Sequence, residues 1–515
     1  MIIKKRRIKY HSLQGIFLER IKQITLTFIL CVTLIFQTVI AIADLPMTGV
    51  QVEELVIFDQ FMQNYMGNNE LEGGILAISK NGCVVYQRGF GYAFNGTDPL
   101  PENTVMRLAS VEKPHTAAMI RYLEADGDIN FSDFVFDVGQ ALDPGQRALL
   151  DATPSGPYYP YNGSYGDAHL GEITVGQLIW HKGGWDRGLA PDPFGTDITI
   201  VIGNAIGTYP LSPPDRTDIV KYMMSQPLQF VPGIIPTIEC AKDSEKKCIA
   251  PGPDDPPCHC DNYCNFGYML LSLIIEQESH GQHTQMIRER VLTPEMWVPS
   301  TEIIFGRAFR EDQSPREPLY HDSHFDINVY DPSDVFPPKL NASVPRPYGS
   351  FVMENKTGEG NLVGSAAPLL TFMDHYNVES GAFISSAVDA AKNGGLRGTS
   401  TRIQQYSNGF NIVVLFNYGG GHADIVLPQV YAMIEWASGI DWESLKCIDG
   451  FWLDFNASSS GFGGYNDPFH TMTSTLTEIT DGTKLRVKPG SSNWSGTIST
   501  RTLIDAPFGT AIIGQ

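Results

Sequence analysis

Charge is scarce in this 515-residue chain: Asp, Glu, Lys and Arg make up 18% of it, and basic residues are fewer than acidic ones, 36 against 57. Seven of those bases (Lys4, Lys5, Arg6, Arg7, Lys9, Arg20 and Lys22) precede residue 44, against Glu19 alone. The rest of the chain is therefore more acidic than the net charge of −21 for the whole. So acidic a body argues against nucleic acid and anionic membrane surfaces as partners. No internal repeat is evident. No His/Asp cluster with metal-ligand spacing occurs, which makes a zinc enzyme a poor fit. The one metal alternative, Cys258, His259, Cys260 and Cys264, matches no standard zinc pattern. The expectation is no cofactor and no metal.

What is present begins with residues 24–43, an uncharged, predominantly apolar run behind the basic segment, ending Ala41-Ile42-Ala43. It fits a secretory signal with an A-x-A cleavage site, or an uncleaved anchor about twenty residues long. Either way the body is exported, and a membrane is a partner only if the segment stays uncleaved. Eight cysteines suit that compartment: Cys31, Cys83, Cys240, Cys248, Cys258, Cys260, Cys264 and Cys447. Five of them fall between 240 and 264 among Pro, Gly and Asp, as in a disulfide-stapled loop. Seven N-x-S/T sequons, at Asn95, Asn130, Asn162, Asn341, Asn355, Asn456 and Asn493, permit glycosylation in a eukaryotic source.

The length calls for one large two-region unit plus extras. Residues 52–66 place Leu55, Phe58, Met62 and Tyr65 at helical spacing. An apolar strand at 74–79, the pair Asn81-Gly82 and a second strand at 83–87 predict a hairpin. A later hairpin is expected over 399–406 and 410–416 around Asn408-Gly409, then a helix over 428–437 with Pro428 in its first turn. Strands at both ends of the sequence, flanked by helices, suggest one antiparallel sheet built from distant segments, an α+β class. The middle, about 120–375, reads as a mostly helical second region, with the main insertions at 186–262 and 306–350. From Cys447 the composition turns to Gly, Ser, Thr and Asn with short β-like runs at 475–479 and 484–487, a small β appendage or a poorly packed tail. The expected division is 1–43 for the signal or anchor, 44–440 for the main domain with a Cys-rich insertion at 236–262, and 441–515 for the appendage.

Three short motifs bear chemistry. In Arg107-Leu108-Ala109-Ser110-Val111-Glu112-Lys113 a serine and a lysine stand three apart at the head of a helix, about one turn, so their polar ends can meet. A serine hydroxyl needs a base, and a lysine of depressed pKa is one. The helix N-terminus adds free backbone N–H groups for a developing oxyanion. Tyr263-Cys264-Asn265 precedes an apolar helical run; its tyrosine near a lysine can exchange protons, though alone it reads as a capped loop tyrosine. Lys392-Asn393-Gly394-Gly395 sets a cation on a strand edge beside glycines that admit a ligand closely. Alone it reads as a Gly-rich turn with a solvated Lys.

In that order, Ser-x-x-Lys, Tyr-x-Asn and Lys-x-Gly resemble the serine β-lactamase and penicillin-binding-protein superfamily, above all its class C branch, which includes family VIII esterases and D-amino-acid peptidases. Residues 107–118, 173–185 (with His181 read as a structural turn residue) and 227–233 are similar to supporting blocks of that family. The resemblance covers about 50–437. It implies a β-lactamase/transpeptidase-like fold and a serine hydrolase acting through an acyl-enzyme on an ester, amide or lactam, small molecule or peptide. A D-amino-acid peptidase, and a non-enzymatic sensor or scaffold, are the alternatives. It also implies that Ser110 is acylated, Lys113 and Tyr263 relay protons, Asn265 positions, and Lys392 binds a substrate carboxylate or steadies the tyrosinate. The oxyanion hole would use the N–H groups of Ser110 and Gly395. Two lysines converging on one site should depress a lysine pKa. The sequence departs from the family at Cys264, inside the tyrosine motif, where a disulfide is expected.

Overall fold

The computed structural model describes residues 45–514 apart from 95, 191, 210, 235–240, 243–247, 250–262, 293–297, 331–342, 437–438, 443–444, 446, 449, 462, 465–467, 481–482 and 507–509. The export segment 1–43 and most of the Cys-rich insertion 236–262 lie outside the described residues. So do the sequons Asn95 and Asn341.

Two hairpins from opposite ends of the sequence make one antiparallel sheet. β1 (Gly73–Lys80) and β2 (Cys83–Phe94) turn at Asn81-Gly82, whose φ values of 50° and 75° are those an Asn-Gly pair adopts at little cost. β3 (Ala390–Leu396), β4 (Thr399–Gln405) and β5 (Phe410–Phe416) form the second set, and β5 pairs with β1, Val413 opposite Ala77. The order is β2-β1-β5-β4-β3, which leaves β3, the strand of Lys392 and Gly395, on an edge.

β1 and β5 read as apolar runs because both sheet faces are covered. Ile75, Ala77, Val413 and Leu415 face a core shared with α2 (Glu112–Asp126), α3 (Asn265–Ser279) and α4 (Ala366–His375). Leu76, Ile78, Val414 and Phe416 alternate to the other side, against α1 (Val56–Asn68) and α5 (His422–Trp436). α2 is buried from Glu112 to Ile120 and α3 from Asn265 to Ile275, and the two helices pack together. Helices so enclosed must partner their polar side chains inside the protein, and those side chains form the site.

Several expectations are corrected. α5 starts at His422, so Pro428 lies inside it and not in its first turn. The start is set by Gly421 at φ 73° and by the Ala423 N–H donating to Ser400 Oγ, while burial of Val426, Leu427 and Val430 offsets the hydrogen bond that proline removes. Residues 475–479 are not a strand. Thr471 caps a helix, Met472–Leu476, by accepting from the Ser474 N–H, and this cap overrides a β-like composition. Lys484–Val487 is a strand, in a parallel sheet with Phe451–Leu453 and Leu503–Asp505. The segment beyond Cys447 is well packed: Leu453, Met472 and Leu485 are fully buried with Phe58 and Phe416, and a Cys83–Cys447 disulfide ties it to β2. The middle region carries short helices such as Thr196–Ile206 and Arg216–Met223, together with small sheets such as Phe134–Asp137 with Ala148–Asp151. The Asn355 sequon is buried, its amide donating to the Pro214 carbonyl, so the folded chain does not offer it for glycosylation.

Candidate active site

Ser110 sits in a single 3-10 turn, Ala109–Val111, that runs into α2. Ala109 holds φ at 50°, a left-handed conformation that costs a non-glycine residue about 1 kcal/mol and that clusters at functional sites. The edge of the sheet keeps the turn in place. Thr401 Oγ1 donates to the Leu108 carbonyl at 2.8 Å, and β3 approaches so closely that a Cβ on Gly394 would lie 2.3 Å from that oxygen. Gly395 is exposed beside it, and a Cβ there would touch nothing within 4 Å.

Lys113 Nζ donates to Ser110 Oγ at 3.1 Å, as one helical turn requires. The Tyr263 hydroxyl hydrogen-bonds both Ser110 and Lys113. Cations surround the tyrosine ring: Lys113 Nζ is 4.9 Å from its centroid, Lys392 Nζ 5.3 Å and the Arg187 guanidinium 4.1 Å. His181, at φ 55°, lays its ring against Tyr263 at 4.5 Å, and its Nδ1 accepts from the Cys264 N–H. The four residues Ser110, Lys113, Tyr263 and Lys392, drawn from α2, the start of α3 and β3, thus converge.

Asn265 is nearby but engaged elsewhere. Its amide donates to Asp192, and its Oδ1 has no partner among the described residues. A cavity of about 20 Å³ beside it is lined by Trp185, Arg187, Asp192, Cys264 and Phe266, among others. Larger cavities, of 450 and 960 Å³, are lined by other residues and do not include Ser110. Among the described residues, no group of three or more His, Cys, Asp or Glu side chains is placed to hold a metal ion.

The electrostatics correct the expectation of a depressed Lys113. Burial works to lower its pKa, but the tyrosine and Glu359 outweigh burial and raise it. The lysine held below its ordinary value is Lys392, by burial and by the charge of Lys113. Burial would raise Tyr263, yet Lys113 and Lys392 bring it below the usual tyrosine range. His181 is held neutral by burial and by Lys392 and Lys113. The group best placed to take a proton from Ser110 is therefore the Tyr263 phenolate. Cys264 is also corrected. Among the described residues it is a free thiol, pushed up to about 12 by burial, and its sulfur accepts the Gly267 N–H at the head of α3.

Two residues escaped the sequence reading. Glu359 receives Lys113 Nζ on its carbonyl at 2.7 Å and on its carboxylate at 3.3 Å, across 246 residues. Arg187 follows the 173–185 block, and its only local signal is its place two residues after Trp185.

Residues 58–236 match the family described as Beta-lactamase. Penicillin-binding protein 4* of Bacillus subtilis (strain 168) is 25% identical over 230 residues, 44% of this chain. The chain spans 38% of that curated relative's length. The matched stretch holds Ser110 and Lys113, so the likeness to the serine β-lactamase and penicillin-binding-protein superfamily rests on residues 58–236. The fold is the β-lactamase/transpeptidase-like one, an antiparallel sheet with helices. Solved structures similar to it include a class C beta-lactamase (12% identity, TM-score 0.45, 75% of this chain and 98% of that one). Another is the octameric penicillin-binding protein homologue from Pyrococcus abyssi (18%, 0.44, 76% and 78%).

Proposed function

We propose that this protein is an exported serine hydrolase that forms an acyl-enzyme at Ser110 from an ester, amide or lactam. The observation that carries the reading is the mutual contact of Ser110, Lys113 and Tyr263. In the acylation step the Tyr263 phenolate takes the Ser110 proton while Oγ bonds to the acyl carbon and the carbonyl electron pair moves onto oxygen. The backbone N–H groups of Ser110 and Gly395 meet that oxyanion. Collapse breaks the bond to the leaving group, which receives the proton from the Tyr263 hydroxyl, and water repeats the sequence to release the acid. Lys113 stays an ammonium and steadies both oxygens. Lys392 is left to bind a substrate carboxylate or steady the phenolate, and the open Oδ1 of Asn265 suits a substrate N–H. Export rests on residues 1–43 alone.

Intact mass after incubation with penicillin and p-nitrophenyl esters tests this. The acyl mass is expected on the wild type and absent from Ser110→Ala. No adduct across a broad ester and β-lactam panel ends the reading. A stable adduct without product release selects a sensor instead. Turnover of D-Ala peptides with none of simple esters selects a D-amino-acid peptidase.

A further inference from the structure

The acylation step has no use for Glu359, yet this carboxylate is built into the site. Its Oε2 lies 3.3 Å from Lys113 Nζ and its Oε1 3.3 Å from Lys356 Nζ, and the three side chains are 3%, 0% and 8% exposed. Its own carbonyl takes a further hydrogen bond from Lys113. The segment that carries it is clamped to α2 and α3. Glu112 accepts the N–H groups of Gly358, Asn361 and Leu362, and Gly358, at φ 90°, is so close to α3 that a Cβ would lie 2.3 Å from the Tyr268 carbonyl. A carboxylate buried between two ammonium groups on a clamped segment has a fixed position and a fixed charge.

We propose that Glu359 is a positioning residue: bracketed by Lys113 and Lys356, it keeps Lys113 an ammonium aimed at Ser110 and so reserves the serine proton for Tyr263. This rests on the acyl-enzyme reading above. Lys113 is faced by Tyr263, Tyr268, His181 and Cys264 from the start of α3 and the turn beside it, by Lys392 from β3, and by Glu359; Arg187 lies across the Tyr263 ring. Glu359 in turn faces Lys113, Lys356 and Glu112. Burial presses Lys113 toward neutrality; the phenolate and Glu359 oppose it. Without the Glu359 charge, Lys113 and Tyr263 compete to release one shared proton. A neutral Lys113 beside a protonated Tyr263 no longer holds Ser110 and the phenolate in the working arrangement.

The test compares wild type, Glu359→Gln and Lys356→Met in two ways. One is kcat/KM for a p-nitrophenyl ester across pH. The other is phenolate absorbance against pH, taken as the difference from Tyr263→Phe in each background, which needs no turnover. The wild type is expected to hold its rate at the alkaline end. Glu359→Gln is expected to lose about tenfold there relative to its neutral value, with a displaced phenolate titration. Lys356→Met, whose Glu359 charge is undivided, keeps the alkaline rate. A Glu359→Gln profile scaled down equally at every pH, with the wild-type phenolate titration, overturns the proposal. So does a Lys356→Met variant that loses the alkaline rate, a result that decides even if Glu359→Gln does not fold. If Ser110 never acylates, the function reading falls by itself, and the phenolate titration still decides the role of Glu359.

Discussion

Glu112→Gln should destabilise this protein most in mild acid and progressively less as pH rises. Glu112 is fully buried, with Oε1 accepting the Gly358 N–H at 2.8 Å and Oε2 accepting those of Leu362, at 3.1 Å, and Asn361. His283 Nδ1 faces Oε1 at 3.5 Å and is held neutral, down to about 3 by burial. A glutamine oxygen can still serve Asn361 and Leu362, but its amide then meets the Gly358 N–H, donor to donor, at a cost of about 1–3 kcal/mol at any pH. The second contribution depends on pH. Burial pushes the Glu112 carboxyl up to about 8, against the opposing N–H bonds, from an ordinary 4.5. Between those values the folded state binds the proton more tightly than the unfolded chain, so this contribution is full below the lower value and lost as pH rises through the upper one. The slope is at most about 1.4 kcal/mol per pH unit, a few kcal/mol over the window. Glutamine has no such slope. His115, lowered to about 4 by burial, costs stability as pH falls below 6.5 in both proteins and cancels in the difference. Urea midpoints at pH 5 to 9, with unchanged m, measure it. The wild-type advantage should shrink by a few kcal/mol from pH 5 to pH 8.5; an advantage that is flat or grows with pH refutes a buried, proton-holding Glu112.

Tyr263→Phe should lower kcat/KM for esters by roughly 10²–10⁴ with the fold intact, since in the proposed mechanism it removes the group that takes the serine proton; measured against pH, the wild-type rate should reach its plateau below the ordinary tyrosine pKa of 10.0. Cys264 should resist thiol reagents in the native protein and react once unfolded, as peptide mapping of the labelled chain would report, because the thiol is buried and its pKa raised. Cys83→Ser, which opens a loop spanning 364 residues, should cost roughly 2–5 kcal/mol by denaturant unfolding while leaving Ser110 acylation intact.

Much of the scaffold was legible because its signals are local. Asn81-Gly82 and Asn408-Gly409 each announce a hairpin whose turn demands positive φ, which Asn81, Gly82 and Gly409 show, and the apolar runs on either side become β1, β2 and β5. The Ser110–Lys113 contact follows from helical spacing alone. Tyr263 and Lys392 were legible only jointly, since each motif by itself describes an ordinary loop. Glu359 was not legible, because its contact with Lys113 spans 246 residues and nothing adjacent signals it. The same distance helps explain the misread charge of Lys113: two lysines converging suggested a depressed pKa, but the sign is set by Tyr263 and by a carboxylate that only the fold brings in. At 475–479 composition suggested a strand, and a single capping threonine decided for a helix instead.

The central claim is that Ser110, served by Lys113 and Tyr263, is an acylation centre. Intact mass of the wild type and of Ser110→Ala after exposure to p-nitrophenyl esters and penicillin tests it most directly. One acyl group per chain, mapped to Ser110 and absent from the variant, is the predicted result; an unmodified wild-type chain, or an adduct that persists in Ser110→Ala, contradicts it.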